Sequence, residues 1–323
     1  MAIARPWRAP RPDGPYAAVP EDHASLNHVF SEAFTERYRR DGLVGVRVPF
    51  LNPAIWRYAI EDANGGALIW RDEREEIAAF NIVHCSGREG WMGPLAVRPD
   101  AQGSGLGKEI VKSGIDWLIA SKALTIGLET MPRTMDNIGF YSSLGFAPGK
   151  LTVTVTIDAA PSPEAPSVFG KLSAKDKEAV LVECCALSQR VQPACDFTRE
   201  IAITDDLGLG ETILFRDGGK ITGFALCHTV PLVEGRAREE TRVLKLVLAR
   251  GSDLANAVAT LADFARRGGT RRVAFRVQTE YLEAYQKLIA MGGRVRWTDL
   301  RMSLATHPEA KARDGLLWSN WEI

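Results

Sequence analysis

Residues 91–107, WMGPLAVRPDAQGSGLG, decide the fold of this chain. The apolar run 91–98 predicts a strand, and the glycine-rich turn 102–107 leads into an amphipathic stretch that predicts a helix over 105–121. Because the three glycines of the turn carry no side chain, successive backbone N–H groups can converge at the positive end of that helix. Such a turn is suited to an anion, most often a phosphate.

Two common phosphate-binding motifs do not match this turn. A P-loop, G-x-x-x-x-G-K-[ST], needs a hydroxyl after its lysine, but Glu109 follows Lys108. A dinucleotide fingerprint, G-x-G-x-x-G, needs another order of glycines. The turn reads Q-x-x-G-x-G. In this it resembles the pyrophosphate-binding motif of the GNAT superfamily of acetyl-coenzyme A-dependent N-acyltransferases.

A second signature of the same superfamily follows the glycine turn. Residues 124–131, LTIGLETM, predict a strand, and residues 140–146 read F-Y-x-x-L-G-F. In the family this motif is a short helix that carries a tyrosine and ends on a glycine cap. Core packing would explain either motif alone, but both motifs in this order indicate a GNAT domain.

The resemblance implies an α/β (α+β) fold, in which a mixed, mainly antiparallel central sheet is flanked by helices. The order of predicted elements agrees with it. Amphipathic helices are predicted over 21–36 and from the capping pair Asn52 and Pro53. Residues 66–71 and 77–85 predict a hairpin before the strand that leads to the glycine turn.

The second half of the chain repeats the first. Two patterns recur at a constant separation of 144 residues: I-x-x-F-x-x-x-H, at 77 and 221, and Y-x-x-L, at 141 and 285. The turn equivalent to the glycine turn, residues 249–253, has one glycine and an aspartate that would repel pyrophosphate. We therefore predict a tandem-GNAT protein with a degenerate C-terminal copy that does not bind coenzyme A.

A proline- and alanine-rich stretch marks the boundary between the two copies. We predict an N-terminal catalytic GNAT domain over 1–157, of which 1–15 are an irregular arm, then a linker over 158–168. The degenerate C-terminal GNAT-like domain spans 169–323. Its tail, LLWSNW at 316–321, is too apolar to be free, so we expect it to dock on a domain or on a second subunit.

Transfer of an acetyl group from a thioester to an amine sets three chemical requirements. The amine must lose a proton, the developing oxyanion must be stabilised, and the leaving thiolate must be protonated. In the GNAT fold the strand before the glycine turn splays from the next strand, and the pantetheine arm pairs with the free backbone. By resemblance, the coenzyme site comprises Leu95, Ala96 and Val97 for the pantetheine and the acetyl carbonyl, and Gln102, Gly103, Ser104, Gly105, Leu106, Gly107 and Lys108 for the pyrophosphate.

The resemblance also implies an acid and a base. Tyr141 matches the tyrosine that points at the coenzyme sulfur in many GNAT enzymes and is the predicted general acid. The alternative is a buried tyrosine whose hydroxyl bonds a backbone carbonyl. Glu129 is the candidate base, because ribosomal-protein N-acetyltransferases of the superfamily carry a glutamate base at this place. The alternative is a strand-end glutamate in water.

One position departs from the family pattern. The usual asparagine lies seven residues before the tyrosine, where this chain has Thr134, whereas Asn137 lies four residues before it. The coenzyme contact of that asparagine is therefore in question, and Asn137 is the candidate to supply it. Two other reactive residues, His84 and Cys195, are expected to be packed side chains without a catalytic role.

The composition sets limits on partners and location. The 323 residues carry no net charge, so there is no basic excess for nucleic acid, and no 18-residue apolar run predicts a membrane span. The N-terminus lacks the apolar region of a secretory signal. Five cysteines, an odd number without metal-ligand spacing, favour a reducing cytoplasm.

These observations predict an acyltransferase, an N-acetyltransferase that moves an acetyl group from acetyl-CoA to a primary amine by direct transfer in a ternary complex. The acceptor is a small-molecule amine or a protein amine, and no metal is expected. The chain is expected to be a monomer, as an internal pseudo-dimer, or a homodimer. The alternative is a non-catalytic acyl-CoA-binding sensor or partner-binding module.

Overall fold

A single mixed sheet runs through the computed structural model, which describes residues 11–163, 165–310, 312 and 314–323. Helices flank this sheet in both halves of the chain. Within the described residues only two strand pairs are parallel, and every other pair is antiparallel. The α/β fold with a mainly antiparallel sheet is therefore confirmed.

The first half contains six strands and four α-helices in the described part. In chain order they are β1 (Asp13–Ala17), α1 (His23–Arg40), α2 (Pro53–Ala63), β2 (Ala67–Arg71), β3 (Ile77–Ser86), β4 (Glu89–Val97), α3 (Leu106–Ala120), β5 (Thr125–Thr130), α4 (Met135–Ser142) and β6 (Phe146–Asp158). The predicted cap of α2 is present, since the Asn52 side chain accepts a hydrogen bond from the Ala54 backbone N–H at 3.0 Å.

The second half repeats this order and adds one strand. Its elements are β7 (Ser167–Val168), α5 (Ala174–Val191), α6 (Thr198–Asp206), β8 (Gly210–Asp217), β9 (Lys220–His228), β10 (Glu240–Leu248), α7 (Leu254–Arg267), β11 (Arg272–Gln278), α8 (Leu282–Ala290), β12 (Arg294–Leu304) and β13 (Leu316–Ser319). The recurrence of the whole order agrees with the repeat seen in the sequence.

The two halves exchange their last long strands. The sheet order is β1-β2-β3-β4-β5-β12-β6-β11-β10-β9-β8-β7, with β13 paired to β10. Thus β12 lies between β5 and β6, with Leu300 opposite Thr130, and β6 pairs with β11, with Val155 opposite Phe275. Each half therefore completes the sheet of the other, although the sequence places a linker between them.

A splay between β4 and β5 opens the sheet in the first half. The two strands pair in parallel only from Glu89 to Met92, opposite Thr125 to Leu128. Beyond that point β4 pairs with β3, and β5 pairs with β12. Residues 95–97 therefore have a backbone edge that no strand covers in the described part of the chain, as the resemblance implied.

The predicted N-terminal arm and the predicted linker differ in detail from the structure. Residues 1–10 of the predicted irregular arm lie outside the described residues. Residues 13–15 are not irregular, because they belong to β1, which pairs with β2 and places Tyr16 opposite Ile69. In the linker, Ser167 and Val168 form a short strand on β8.

The apolar tail docks on its own chain. Strand β13 pairs with β10, so that Trp318 lies opposite Leu246, and Trp318 is buried. The tail then crosses to the first half, where the buried Trp321 ring covers Gly127 of β5 and stacks on Arg301, 3.9 Å from ring centroid to guanidinium. The last residues of the chain thereby reach the splayed strands.

We expect Gly127→Ala to destabilise the protein by about 1–3 kcal/mol, as overpacking does. A Cβ at Gly127 would lie 2.3 Å from the Trp321 ring, so either the ring or β5 must move. Urea denaturation measures the effect. Gly139→Ala in α4 is the matched control, because nothing lies within 4 Å of the added carbon. Equal stability of both variants would contradict the packing of Trp321 on β5.

Candidate active site

Two connected cavities occupy the splay. The first, of about 230 Å³, runs along the free edge of β4 towards the glycine turn. The second, of about 330 Å³, lies between the two halves. Both cavities are lined by Phe34, Arg37, Leu95, Asn137 and Tyr141. These five residues therefore mark the junction at which two bound molecules would meet.

The first cavity is built from the predicted coenzyme residues. It is lined by Leu95, Ala96, Val97, Gln102, Gly107, Ile110, Asn137, Phe140 and Tyr141, and on the α1 side by Ala33, Phe34, Glu36, Arg37 and Arg40. Of the predicted set, Leu106 is buried in the core, so only its backbone faces the turn, and Lys108 is exposed at the start of α3.

The glycine turn has the conformation that an anion site requires. Gly103 and Gly105 adopt φ values of 76° and 88°, and Gly105 is the N-cap of α3. In the described part of the chain, the N–H groups of Gly103, Ser104, Gly105 and Gly107 donate to no protein acceptor. These donors therefore lie free at the positive end of a 15-residue helix.

The Gln102 side chain has a structural role in the turn. Its Nε2 donates to the backbone oxygen of Val97 at 3.0 Å, and the Ser104 hydroxyl donates to that of Ala101 at 2.7 Å. These two bonds fix the path from the end of β4 to α3. The side chains of Gln102 and Ser104 thus shape the turn and leave its free backbone N–H groups available to a ligand.

Tyr141 stands where the two cavities join. Its side chain is almost buried, 7 % exposed, among Phe140 and Phe146. Burial raises the pKa of its phenol far above the usual value, so the hydroxyl is protonated at neutral pH. The hydroxyl makes no hydrogen bond to a described residue, which does not fit the alternative of a tyrosine bonded to a backbone carbonyl.

The predicted base, Glu129, lies in a buried ion-pair network. Its side chain is 1 % exposed and contacts Arg276, Arg301 at 2.8 Å, and the Thr152 hydroxyl at 2.5 Å. Although burial opposes ionisation, the two guanidinium groups and the hydroxyl hold the pKa of this carboxyl below its usual range. A carboxylate that two cations already neutralise is a poor proton acceptor, which argues against Glu129 as the base. The alternative, a strand-end glutamate in water, is wrong, because the side chain is buried.

Asn137 supplies the polar amide at the junction. Its side chain lines both cavities and donates to the Thr130 hydroxyl at 3.5 Å. Thr134, at the family's usual asparagine position, is fully buried and donates to Asp41 at 2.8 Å. The structure therefore gives Thr134 a packing role and leaves the amide of Asn137 facing the cleft.

Three carboxylates converge at the inner end of the second cavity. Oxygens of Glu129, Asp299 and Glu322 lie within 4.8 Å of one another, an arrangement that could hold a metal ion. The guanidinium of Arg276 contacts all three, at 2.9 Å from Asp299 and 3.0 Å from Glu322. This cation already neutralises part of the cluster, so the group is better described as an ion-pair network than as a metal site.

The family of the first half follows from a comparison with known proteins. Residues 25–146 match the model of the acetyltransferase (GNAT) family. This matched part of the chain is called the GNAT domain below. No curated protein sequence matches the chain.

Solved structures show how far this fold extends beyond the GNAT domain. The chain resembles a GCN5-related N-acetyltransferase from Sphaerobacter thermophilus, with 18 % identity, a TM-score of 0.58, and coverage of 91 % of this chain and 96 % of that one. It also resembles a tandem GNAT protein from the clavulanic acid biosynthesis pathway, with 12 % identity, a TM-score of 0.57, and coverage of 93 % of this chain and 98 % of that one. Saccharomyces cerevisiae N-myristoyltransferase, solved with bound myristoyl-CoA, is also similar, with 11 % identity, a TM-score of 0.61, and coverage of 97 % of this chain and 87 % of that one. At such identities the likeness shows the fold alone.

In the second half, the slot equivalent to the splay of the GNAT domain is filled by the chain itself. Strands β10 and β11 pair in parallel only from Glu240 to Val243, opposite Arg272 to Phe275. Beyond that, β13 pairs with residues 245–248 of β10. The backbone edge that stays free in the GNAT domain is therefore covered in the second half.

Several cavity residues were not found from the sequence. The second cavity is lined by Trp297, Asp299, Trp321, Glu322 and Ile323 from the second half, and by Phe30 and Phe34 from α1. Among the aromatic residues of the two helices, Tyr38 of α1 lines it, whereas Trp56 and Tyr58 of α2 are buried elsewhere. No local motif marks the residues of the second half, because the strand exchange and the docked tail bring them to the GNAT domain.

The remaining reactive residues are packed as predicted. His84 is fully buried, with Nδ1 2.6 Å from Asp62 Oδ2 and its ring stacked on Trp91. Cys195 is buried, and burial raises the pKa of its thiol well above the usual value. None of the helices in the described ranges has the length and apolarity needed to cross a membrane.

We expect Glu129→Gln to cost about 3 kcal/mol of unfolding free energy, because it leaves Arg276 and Arg301 with one carboxylate fewer in a buried site. Denaturant titration measures the loss. The control is Glu61→Gln, which removes a surface pair with Arg57 on α2 and should cost under about 1 kcal/mol. A variant of full stability that lost its activity would instead restore Glu129 as the base.

Proposed function

We propose that this protein is an acetyl-CoA-dependent N-acetyltransferase that transfers the acetyl group directly to a primary amine. The observation that carries the proposal is the junction at Tyr141, where the cavity along the coenzyme residues opens into a second cavity. Acetyl-CoA would supply the activated thioester. Donor and acceptor would then meet at one point between the splayed strands.

The residues of the first cavity fit a coenzyme A molecule. The free edge at residues 95–97 suits a pantetheine arm, whose amide groups pair with a strand. The free N–H groups of the turn and the positive end of α3 suit a pyrophosphate. No Cβ fills the space at Gly103 or Gly105, where nothing lies within 4 Å.

Tyr141 is the proposed proton donor to the leaving thiolate. It faces both cavities, and its raised pKa keeps the proton on the phenol until a strong base appears beside it. Burial also destabilises the charged form of the departing thiolate and so raises its basicity, which allows the proton to pass to the sulfur. Neither cavity is lined by a serine or a cysteine among the described residues, which favours direct transfer over a covalent acyl-enzyme.

The second half is proposed to be a degenerate GNAT copy without coenzyme. Strand β13 covers the edge at which a pantetheine would pair, and Arg250 forms a 3.1 Å ion pair with Asp253 in the turn that replaces the glycine turn. Because the two halves already form the equivalent of a dimer, the chain is proposed to act as a monomer. The five cysteines are all free, which agrees with the proposed cytoplasmic location.

We expect calorimetric titration with acetyl-CoA to give one site per chain, and Gly105→Glu to weaken binding at least a hundredfold. The variant forces a side chain onto left-handed backbone, φ 88°, and adds negative charge where the pyrophosphate would bind. Gly251→Glu, in the equivalent turn of the second half, is the matched control and should bind normally. Two sites, or normal binding by Gly105→Glu, would overturn the assignment.

We expect Tyr141→Phe to lower kcat by about ten- to a thousandfold while the Kd for acetyl-CoA stays within about twofold, as for loss of a general acid. Release of the coenzyme thiol in the presence of an amine measures the rate. Tyr285→Phe, at the equivalent position in the second half, should behave as wild type. An unchanged rate for Tyr141→Phe would exclude the acid role. Coenzyme binding without turnover of any amine would favour a sensor.

A further inference from the structure

We propose that the second cavity selects a small primary amine with an apolar body, and that Glu322 binds its ammonium group and accepts its proton. The proposal rests on the acetyl-transfer function above, because it assigns the acceptor of that reaction. The proposal extends that function by naming the chemical class of the amine that receives the acetyl group and the residue that takes up its proton. Glu322 would then be a catalytic residue supplied by the tail of the second half.

The size and the walls of the cavity define the body of the acceptor. At about 330 Å³ it lies at the low end for small-molecule sites. Its sides are largely aromatic and aliphatic, with Phe30, Phe34, Leu51, Leu232, Trp321 and Ile323 contributing. A polar body such as an amino sugar would lose hydrogen bonds to water against these walls, whereas an aryl or alkyl body would not.

The charges of the cavity define the reacting end of the acceptor. Arg276 is shared by Glu129, Asp299 and Glu322, and Arg301 is shared by Glu129 and Glu309. Four carboxylates thus face these two guanidinium groups and that of Arg242, which also acts on Glu322. The excess of negative charge favours a cation.

Among the described residues, the cation that lines this cavity is Arg37, and it is neutralised within the first half. Arg37 pairs with Asp41 and, at 3.2 Å, with Asp136. It therefore does not offset the carboxylates at the inner end. An ammonium group in the cavity would therefore be attracted to the carboxylates and would not be repelled by Arg37.

Glu322 is the carboxylate of this network that the cavity can reach. The side chains of Glu129 and Asp299 are only 1 % and 4 % exposed, whereas that of Glu322 is 48 % exposed. In the described part of the chain its carboxylate contacts one charged partner, Arg276 at 3.0 Å. Its remaining lone pairs are available to an ammonium group.

The surroundings of Glu322 suit it to exchange a proton near neutral pH. The half-exposed carboxyl of Glu322 loses part of its hydration, which raises its pKa to about 7; Asp299 and Glu129 add to the rise, and Arg276 and Arg242 oppose it. Tyr38 lines the same cavity, and burial, with smaller contributions from Asp299 and Glu322, raises the pKa of its phenol. Because the base must be ionised to accept a proton, the rate should rise as the pH passes upward through the pKa of Glu322.

The proton and bond changes balance without a further reactant. The bound ammonium gives one proton to the Glu322 carboxylate, and the amine nitrogen forms a bond to the acetyl carbonyl carbon. The carbon–sulfur bond breaks, and the thiolate takes the proton of Tyr141. The second proton of the nitrogen returns to the Tyr141 phenolate, and Glu322 releases its proton to water. The products are an N-alkylacetamide and coenzyme A.

Binding to the wild type tests the acceptor class without turnover. We would titrate N,N-dimethyl-2-phenylethylamine, a cation that cannot form a stable amide, and 2-phenylethanol, its neutral analogue, into the complex with coenzyme A. The expected result is at least tenfold tighter binding of the cation. Equal binding, tighter binding of the alcohol, or binding of neither would overturn the proposal.

The Glu322→Gln variant tests the residue. The preference for the cation should fall below about threefold, while the Kd for acetyl-CoA, which serves as the test of folding, should not change. With 2-phenylethylamine as substrate, kcat should fall about a hundredfold, within the range for a lost general base. The rise of the rate with pH near 7 should also disappear, and Glu322→Asp should restore part of the rate.

Glu178→Gln, an exposed glutamate on α5, is the matched control and should behave as wild type. If Glu322→Gln kept the cation preference and the pH profile, Glu322 would not be the acceptor of the proton. If the cationic probe bound but no amine were acetylated, the proposed transferase function would be wrong, whereas the proposed amine-binding site would be supported. If polar acceptors such as amino sugars were acetylated and the probe did not bind, the present inference alone would fail.

Discussion

The exchange of β6 and β12 is the constraint on which the rest of the molecule depends. Each half makes one strand that hydrogen-bonds into the sheet of the other, so Arg301 of β12 comes to lie directly opposite Glu129 of β5. The same exchange brings Asp299 and, from β11, Arg276 to the inner end of the splay. Because Glu129 of the first half is held by Arg276 and Arg301 of the second half, these buried ion pairs join the two halves.

The tail also links the two halves, at the cleft. Strand β13 fills the slot of the second half, and the residues that follow it enter the splay of the first half. One short segment thus covers the edge of β10 in the second half and lines the open cleft of the first half.

The sequence predicted the parts of the site that depend on local backbone. The glycine turn, the start of α3 and the cap at Asn52 follow from residues close together in the chain, so patterns reveal them. The environment of Glu129 could not be predicted, because Arg301, which covers it, lies 172 residues later. Likewise Asp299 and Glu322 belong to no motif, and only non-local strand pairing places them at the cavity.

The strand exchange also bears on how the chain is made. When the first half leaves the ribosome, the edges of β5 and β6 have no partner, because β12 begins only at Arg294. The tail that completes the cleft follows later still, from Leu316. Pairings of such long sequence separation form slowly, and exposed strand edges in the meantime favour association with other chains. A chain terminated before residue 294 would contain both sequence motifs at 102–107 and 140–146 and yet lack the cavity walls that β12 and the tail supply, so the cleft is assembled only after the second half is made.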